Sequence, residues 1–250
     1  MDAAHGREPE GDVPLTVVIP VHNEGGNIAV CIERLERELS SPHAIDIVYD
    51  FEEDTTVPVV VLEREKYWTP IRMVRNRYGQ GVLNAIKTGL EAAETTFVVV
   101  TMADLSDPPS VINDMLETAR REDADIVCAS RYMKGGRQAG GPFIKGLMSR
   151  CAGLTLAWFA RVPTHDATNS FKLYRASFLR GQTIESTGGF ELGLELVVKA
   201  HRGGFRIAEV PTTWTGRVAG ESRFRILKWL PCYLKWYFLA FFRSNPSRDG

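Results

Sequence analysis

Phe97-Val98-Val99-Val100-Thr101-Met102-Ala103-Asp104-Leu105-Ser106-Asp107-Pro108-Pro109 begins as an apolar, β-branched run and ends in two carboxylates and two prolines. The run has the character of a strand buried on both faces of a parallel sheet. Such a strand carries Asp104 to its carboxyl end, the edge at which open α/β sheets bind ligands. A hard oxygen donor placed there suits Mg2+ or Mn2+ holding a diphosphate. A plain turn-forming role for Asp104 is the competing possibility, since Asp is common in turns.

Outward from this stretch, the first half alternates strand and helix. Leu15-Thr16-Val17-Val18-Ile19-Pro20 is a strand, and Asn27 to Leu39 is a helix with Ile28, Cys31, Ile32 and Leu35 at helical spacing. Ile45 to Tyr49 is a second strand ending at Asp50, and Ile71 to Val74 a third. The segment Thr55 to Lys66 is ambiguous: its valine run favours strand, while Thr56 before Val57-Pro58 is compatible with a helix start. Gly79-Gln80-Gly81 leads into a helix from Val82 to Ala93, a turn type that lets backbone approach a phosphate. Asp107-Pro108-Pro109 opens another helix to Arg121, with Asp107 as its natural cap, and Asp125 to Cys128 is a fifth strand. This order predicts a mostly parallel sheet with right-handed crossovers.

The second half differs. From Ile126 to His165 there is no acid, and six bases are spread among aromatic and aliphatic residues: Arg131, Lys134, Arg137, Lys145, Arg150 and Arg161. Such a stretch is a candidate anion site. Asp166 to Tyr174 reads as turn and strand, Phe190 to His201 as helix, and Arg206 to Val210 as a late strand. Pro211 to Arg223 is a polar loop, and Phe224 to Arg243 is again free of acids. There, a narrow basic stripe beside Trp, Tyr and aliphatic residues suits a helix lying in a membrane interface, with Pro231 breaking or kinking it into two pieces. Packing on the chain's own core or on a second copy is the alternative.

With 250 residues, 44% of them hydrophobic, the chain is long enough for a full core, and its net charge of −1 gives no general attraction to nucleic acid. Four scattered cysteines show no C-x-x-C spacing, which argues against a zinc site or a disulfide framework. The polar segment 1–12 reads as a disordered tail without the apolar core of a signal peptide. No stretch approaches the roughly 20 apolar residues of a membrane span.

Taken together, Pro20-Val21-His22-Asn23-Glu24, Val48 to Thr56, Asn76 with Gly79-Gln80-Gly81, Met102 to Ser106, Ser130-Arg131-Tyr132 with Gly135-Gly136, and Arg217 to Arg223 occur in an order that resembles glycosyltransferase family 2, with its GT-A fold. The likeness runs from about Val13 to Arg225 and is strongest toward dolichyl-phosphate mannose synthases and bacterial polyprenyl-phosphate relatives. It implies a Rossmann-like α/β domain over 13–222, with a mostly parallel central sheet flanked by helices. Residues 223–250 would follow as an amphipathic, interfacial C-terminal segment. The implied reaction is inverting transfer of a sugar from a nucleoside diphosphate, of the GDP-mannose or UDP-glucose type, to a polyprenyl phosphate. The implied setting is the cytoplasmic face of a membrane, with Mg2+ or Mn2+ as cofactor and no nucleic acid partner. Pro20, Glu24, Asp50, Gly81 and Ala103 would hold the donor, with His22 near the base. Asp104 would bind the metal, with Ser106 as second ligand. Arg131, Lys145, Ser149, Arg217 and Arg223 would grip the acceptor phosphate, and Asp104, Arg131 and Arg217 would carry catalysis. The chain departs from the family pattern at Met102, where the first Asp of D-A-D is expected and for which Asp107 is a weaker candidate substitute than it is a cap, at Tyr49, and at His22. A glycolipid or polysaccharide acceptor remains a second possibility. A non-catalytic nucleotide-sugar-binding scaffold is a third, favoured by Met102.

Overall fold

Buried β-branched runs and amphipathic helices alternate through the first half as the sequence predicts. The computed structural model describes residues 14–216 and 226–242. In chain order they form β1 (Leu15–Pro20), α1 (Ile28–Glu38), β2 (His43–Tyr49), α2 (Thr56–Glu63), β3 (Ile71–Arg75), α3 (Val82–Ala92), β4 (Phe97–Val100), α4 (Val111–Arg121) and β5 (Ile126–Ser130). The second half adds β6 (Arg137–Gln138), α5 (Phe143–Phe159), β7 (Lys172–Arg175), α6 (Ala176–Arg180), α7 (Leu192–Gly203), β8 (Ile207–Pro211), β9 (Thr213–Trp214) and α8 (Ile226–Leu239).

Seven strands make one sheet in the order β3-β2-β1-β4-β7-β5-β8. All neighbours pair in parallel except β7, which runs antiparallel to both β4 and β5. Apolar side chains cover both faces. One layer packs α1, α2 and α4 on the sheet, and the other packs α3, α6, α7 and α8. The strand order reverses between β1 and β4, so the loops after Pro20 and after Val100 open onto the same crevice at their carboxyl ends. β6 and β9 form a separate two-stranded ribbon.

Three local readings are refined. The ambiguous segment is helix α2 followed by one 3-10 turn, Arg64–Lys66. Asp54 Oδ1 accepts the Thr56 N–H, and Pro58 falls in the first turn, where its missing N–H costs nothing. Helix α4 starts at Val111 rather than at the prolines; the Val111 and Ile112 N–H groups bond back to the Pro108 and Pro109 carbonyls in a turn. Ser110, not Asp107, holds the N-cap position, and no side chain caps this helix. Finally, α8 is one helix that continues through Pro231. Proline forfeits one backbone bond there, while packing against α7 holds the helix in line, with Trp236 1% exposed.

Candidate active site

The loop after β4 turns sharply, with Leu105 in the left-handed region at φ 60°. Asp104 is 6% exposed, and its Oδ1 accepts both the Ser106 N–H at 3.1 Å and the Ser106 hydroxyl at 2.6 Å. Asp107 is buried as well, and its Oδ1 has no hydrogen-bond partner among the described residues. Burial, and next the charge of Asp104, push the Asp107 carboxyl up to about 7. The described residues gather no group of three or more His, Cys, Asp or Glu that would cage a metal. The donor set of carboxylates and a hydroxyl nonetheless fits Mg2+ or Mn2+. These hard ions are commonly held by one or two protein carboxylates and take their remaining oxygens from water and phosphate.

At the end of β2, the Asp50 side chain is 4% exposed. Its Oδ1 accepts Asn76 Nδ2 at 2.7 Å, and its Oδ2 accepts the Gly81 N–H at 3.0 Å. Gly81 has φ 124°, a conformation that any side chain would strain. His22 Nδ1 lies 3.7 Å from Asp50 Oδ2, and its ring meets Phe51 edge to face at 5.5 Å. Asp50, His22 and Gly81 are therefore brought together. Pro20 is buried at the end of β1, and Ala103 is buried in the turn after β4. Glu24 instead serves its own loop: its carboxylate accepts Asn27 Nδ2, and its N–H donates to Thr56 Oγ1.

Arg131, at the end of β5, is the anchor of the other side. Its Nε and Nη2 donate to the two oxygens of Asp166 at 2.7 and 2.9 Å, and Nη2 also reaches Ser149 Oγ at 2.9 Å. The Arg131 and Asp166 side chains are 12% and 0% exposed. Ser149 Oγ shares a second bond with Thr168 Oγ1. Gly153 lets α5 lie against this loop, since a Cβ there would stand 2.1 Å from the His165 carbonyl oxygen. Lys145 and Ser149 sit one turn apart on α5, on the same side of the helix.

Asp104, Ser106, Arg131, Lys145 and Ser149 all line one cavity of about 590 Å3. Phe190, Trp214 and Tyr233 give it an aromatic wall, and Met102 lines it without offering a hard oxygen. The Thr215 N–H donates to the Ser106 carbonyl, tying the strand that leads toward position 217 to the Asp104 loop. Arg217 and Arg223 themselves lie outside the described residues.

Asp166 is the functional residue that motif reading missed. One signal was available: it is the first acid after the acid-free stretch, and that stretch buries its first base, Arg131. Lys172 was missed too; it is 0% exposed on β7, its Nζ has no hydrogen-bond partner among the described residues, and burial lowers its pKa.

Comparison with known proteins follows the same outline. A family model described as glycosyl transferase family 2 matches residues 16–181. The dolichol-phosphate mannosyltransferase of Pyrococcus furiosus is 28% identical over 233 residues, 89% of this chain and 64% of its own length. This chain thus spans under two thirds of that archaeal protein. The dodecaprenyl-phosphate galacturonate synthase of Rhizobium johnstonii is 23% identical over 248 residues, 97% of this chain and 71% of its own. In backbone course, the chain resembles glucosyl-3-phosphoglycerate synthase from Mycobacterium tuberculosis, solved with Mn2+, uridine diphosphate and glucosyl-3-phosphoglycerate. The TM-score is 0.67 at 16% identity, covering 94% of this chain and 82% of that one.

Proposed function

Because the chain belongs to glycosyltransferase family 2, we propose that it transfers a sugar from a nucleoside diphosphate to the phosphate of a polyprenyl lipid. The observation that carries this reading is the single cavity joining the Asp104–Ser106 loop to Arg131, Lys145 and Ser149. A donor diphosphate at one end and an acceptor phosphate at the other would meet inside it. The two relatives named above differ in their sugar but share a polyprenyl-type phosphate in their names, which supports this acceptor class.

In the proposed reaction an acceptor phosphate oxygen attacks the anomeric carbon as the bond to the diphosphate breaks, inverting that carbon. The acceptor is already an anion near neutral pH, so the chain needs no general base, only groups that position it. Arg131 suits this role because Asp166 and Ser149 fix its planar guanidinium before any ligand arrives. Lys145 adds a positive charge one helical turn from Ser149. On the donor side, Asp50 and His22 would receive the nucleoside, with Gly81 holding the Asp50 carboxylate in place. Asp104 and Ser106 would hold a divalent cation, which when bound stabilises the charge of the leaving diphosphate.

The test is a transfer assay on an undecaprenyl or shorter polyprenyl phosphate with GDP-, UDP- and dTDP-sugars, each with Mg2+ or Mn2+. A sugar–lipid phosphate product from one donor is expected. Met102 in the cavity favours the scaffold alternative, which predicts nucleotide-dependent thermal stabilisation with no product on any lipid phosphate. A nucleotide at about 100 times its dissociation constant stabilises by about 2.7 kcal/mol, so binding without turnover is readily seen.

The same reading places the protein on a membrane surface. No helix among the described residues is long and apolar enough to cross a bilayer. Yet α5 exposes Phe143, Ile144, Trp158 and Phe159, with Phe143 80% exposed, and Phe238 and Phe242 of the C-terminal region are open as well. Basic Lys145 and Arg150 lie among the α5 aromatics. Deleting the C-terminal segment is a poor test, because Trp236 belongs to the core. Replacing Phe143, Phe159, Phe238 and Phe242 with serine should weaken binding to anionic vesicles by about tenfold or more, since buried apolar area and charge attraction together set interfacial affinity. Unchanged sedimentation with vesicles would remove this face from the contact.

A further inference from the structure

We propose that Asp107 supplies the second carboxylate for a divalent cation at Asp104, in place of the acid that this chain lacks at position 102. The proposal rests on reading the cavity as a cation–diphosphate site, and it adds a residue to that site. Four observations carry it.

Asp107 stands three residues past Asp104 across the left-handed turn at Leu105, and both residues line the same cavity. Asp107 Oδ1 is a buried acceptor with no partner among the described residues, on a side chain whose residue is only 7% exposed. Buried acceptors without a partner are rare, and a bound cation is one of the few things that satisfies one. The ordinary reason for Asp before two prolines does not apply, because Ser110 holds the N-cap position of α4 and Asp107 caps nothing. Met102 brings only a thioether to the cavity, a soft donor unsuited to Mg2+ or Mn2+.

The competing partner is Lys172, whose buried Nζ is likewise without a hydrogen bond. No ion pair within 4.0 Å joins it to Asp107 among the described residues. The amine therefore does not satisfy Asp107 Oδ1.

The experiment measures Mn2+ binding by the loss of the free-ion paramagnetic resonance signal. It uses the whole chain with inorganic pyrophosphate, GDP or UDP present. Wild type, Asp107→Asn, Met102→Asp and the Met102→Asp/Asp107→Asn double variant are compared, and the melting temperature of each is recorded without metal. Asp107→Asn keeps the side-chain volume and should weaken Mn2+ by about tenfold or more, since even residues that only orient a ligand are worth that much. The double variant should recover most of the loss. Mn2+ affinity within twofold of wild type in folded Asp107→Asn would overturn the proposal, and so would loss that the double variant does not restore. If Asp107→Asn does not fold, Asp107→Glu replaces it: a ligating carboxylate displaced by one methylene loses Mn2+ several-fold, and unchanged affinity again overturns the assignment. Wild-type protein that binds no Mn2+ under any condition would fail at the earlier step, removing the cation site itself.

Discussion

Asp104→Asn should lower kcat/KM for sugar transfer by about a thousandfold while leaving the fold intact. The size follows from what the residue faces: negative charge building on a leaving diphosphate inside a cavity where few groups can offset it. Removing one preorganised stabiliser of developing charge commonly costs a hundred- to a thousandfold, and losing the anchor of a cation belongs at the upper end. Asparagine is the better substitution than alanine here. Asp104 Oδ1 accepts two bonds from Ser106, which shape the loop, and the asparagine side-chain oxygen keeps both. Steady-state transfer measured across a range of Mn2+ concentrations makes the check. Activity within tenfold of wild type at every concentration would take Asp104 out of the reaction.

Asp166→Ala should destabilise the protein by about 3–5 kcal/mol, the usual cost of stripping one partner from a buried ion pair. Arg131 would be left with its guanidinium 12% exposed and nothing to receive Nε. At this chain length each kcal/mol lowers the melting temperature by about 2–4 °C, so the loss is plain in a thermal scan. Arg131→Met in the same background should return part of it, because the unpaired charge is then gone. A melting temperature within two degrees of wild type would show that Arg131 finds another partner. The consequence for function is direct. Arg131→Ala removes a structural contact as well as any phosphate contact, so lost activity in that variant counts as a binding effect only at a temperature where it is fully folded.

The strands were legible because a strand buried on both faces is nearly all apolar, as β4 is throughout and β1 is apart from Thr16. The turn at Gly81 and the helix after it were legible for the same local reason. Local pattern failed where the decision was made elsewhere. The valines of α2 suit strand or helix equally, and the Asp54 carboxylate at its start, together with Thr56 and Val60 packed inward, settles the matter. The cap suggested by Asp107-Pro108-Pro109 is a sound local expectation, displaced by the cavity that takes the side chain instead. Asp104, Arg131, Lys145 and Ser149 were found by motif, but their meeting in one cavity depends on α5 packing against the 165–168 loop and Arg131, a matter of tertiary packing. Asp166 lies 35 residues from Arg131, a separation that no periodicity encodes. The ribbon strands β6 and β9 have two residues each, too short to leave any pattern.

The antiparallel strand in the middle of the sheet also sets an order of events during synthesis. β4 ends at Val100 and β5 begins at Ile126, but they do not pair; Lys172–Arg175 lies between them. A growing polypeptide therefore presents the Phe97-Val98-Val99-Val100 edge with no neighbour until position 175 has been made. At typical translation speeds that interval lasts roughly 4–15 s. Throughout it, an uncovered hydrophobic strand edge is available to a neighbouring nascent chain. Yield in the cell should thus depend on how quickly the ribosome traverses residues 101–175, and rare codons placed there should send more of the product into inclusion bodies than the same codons placed after 175.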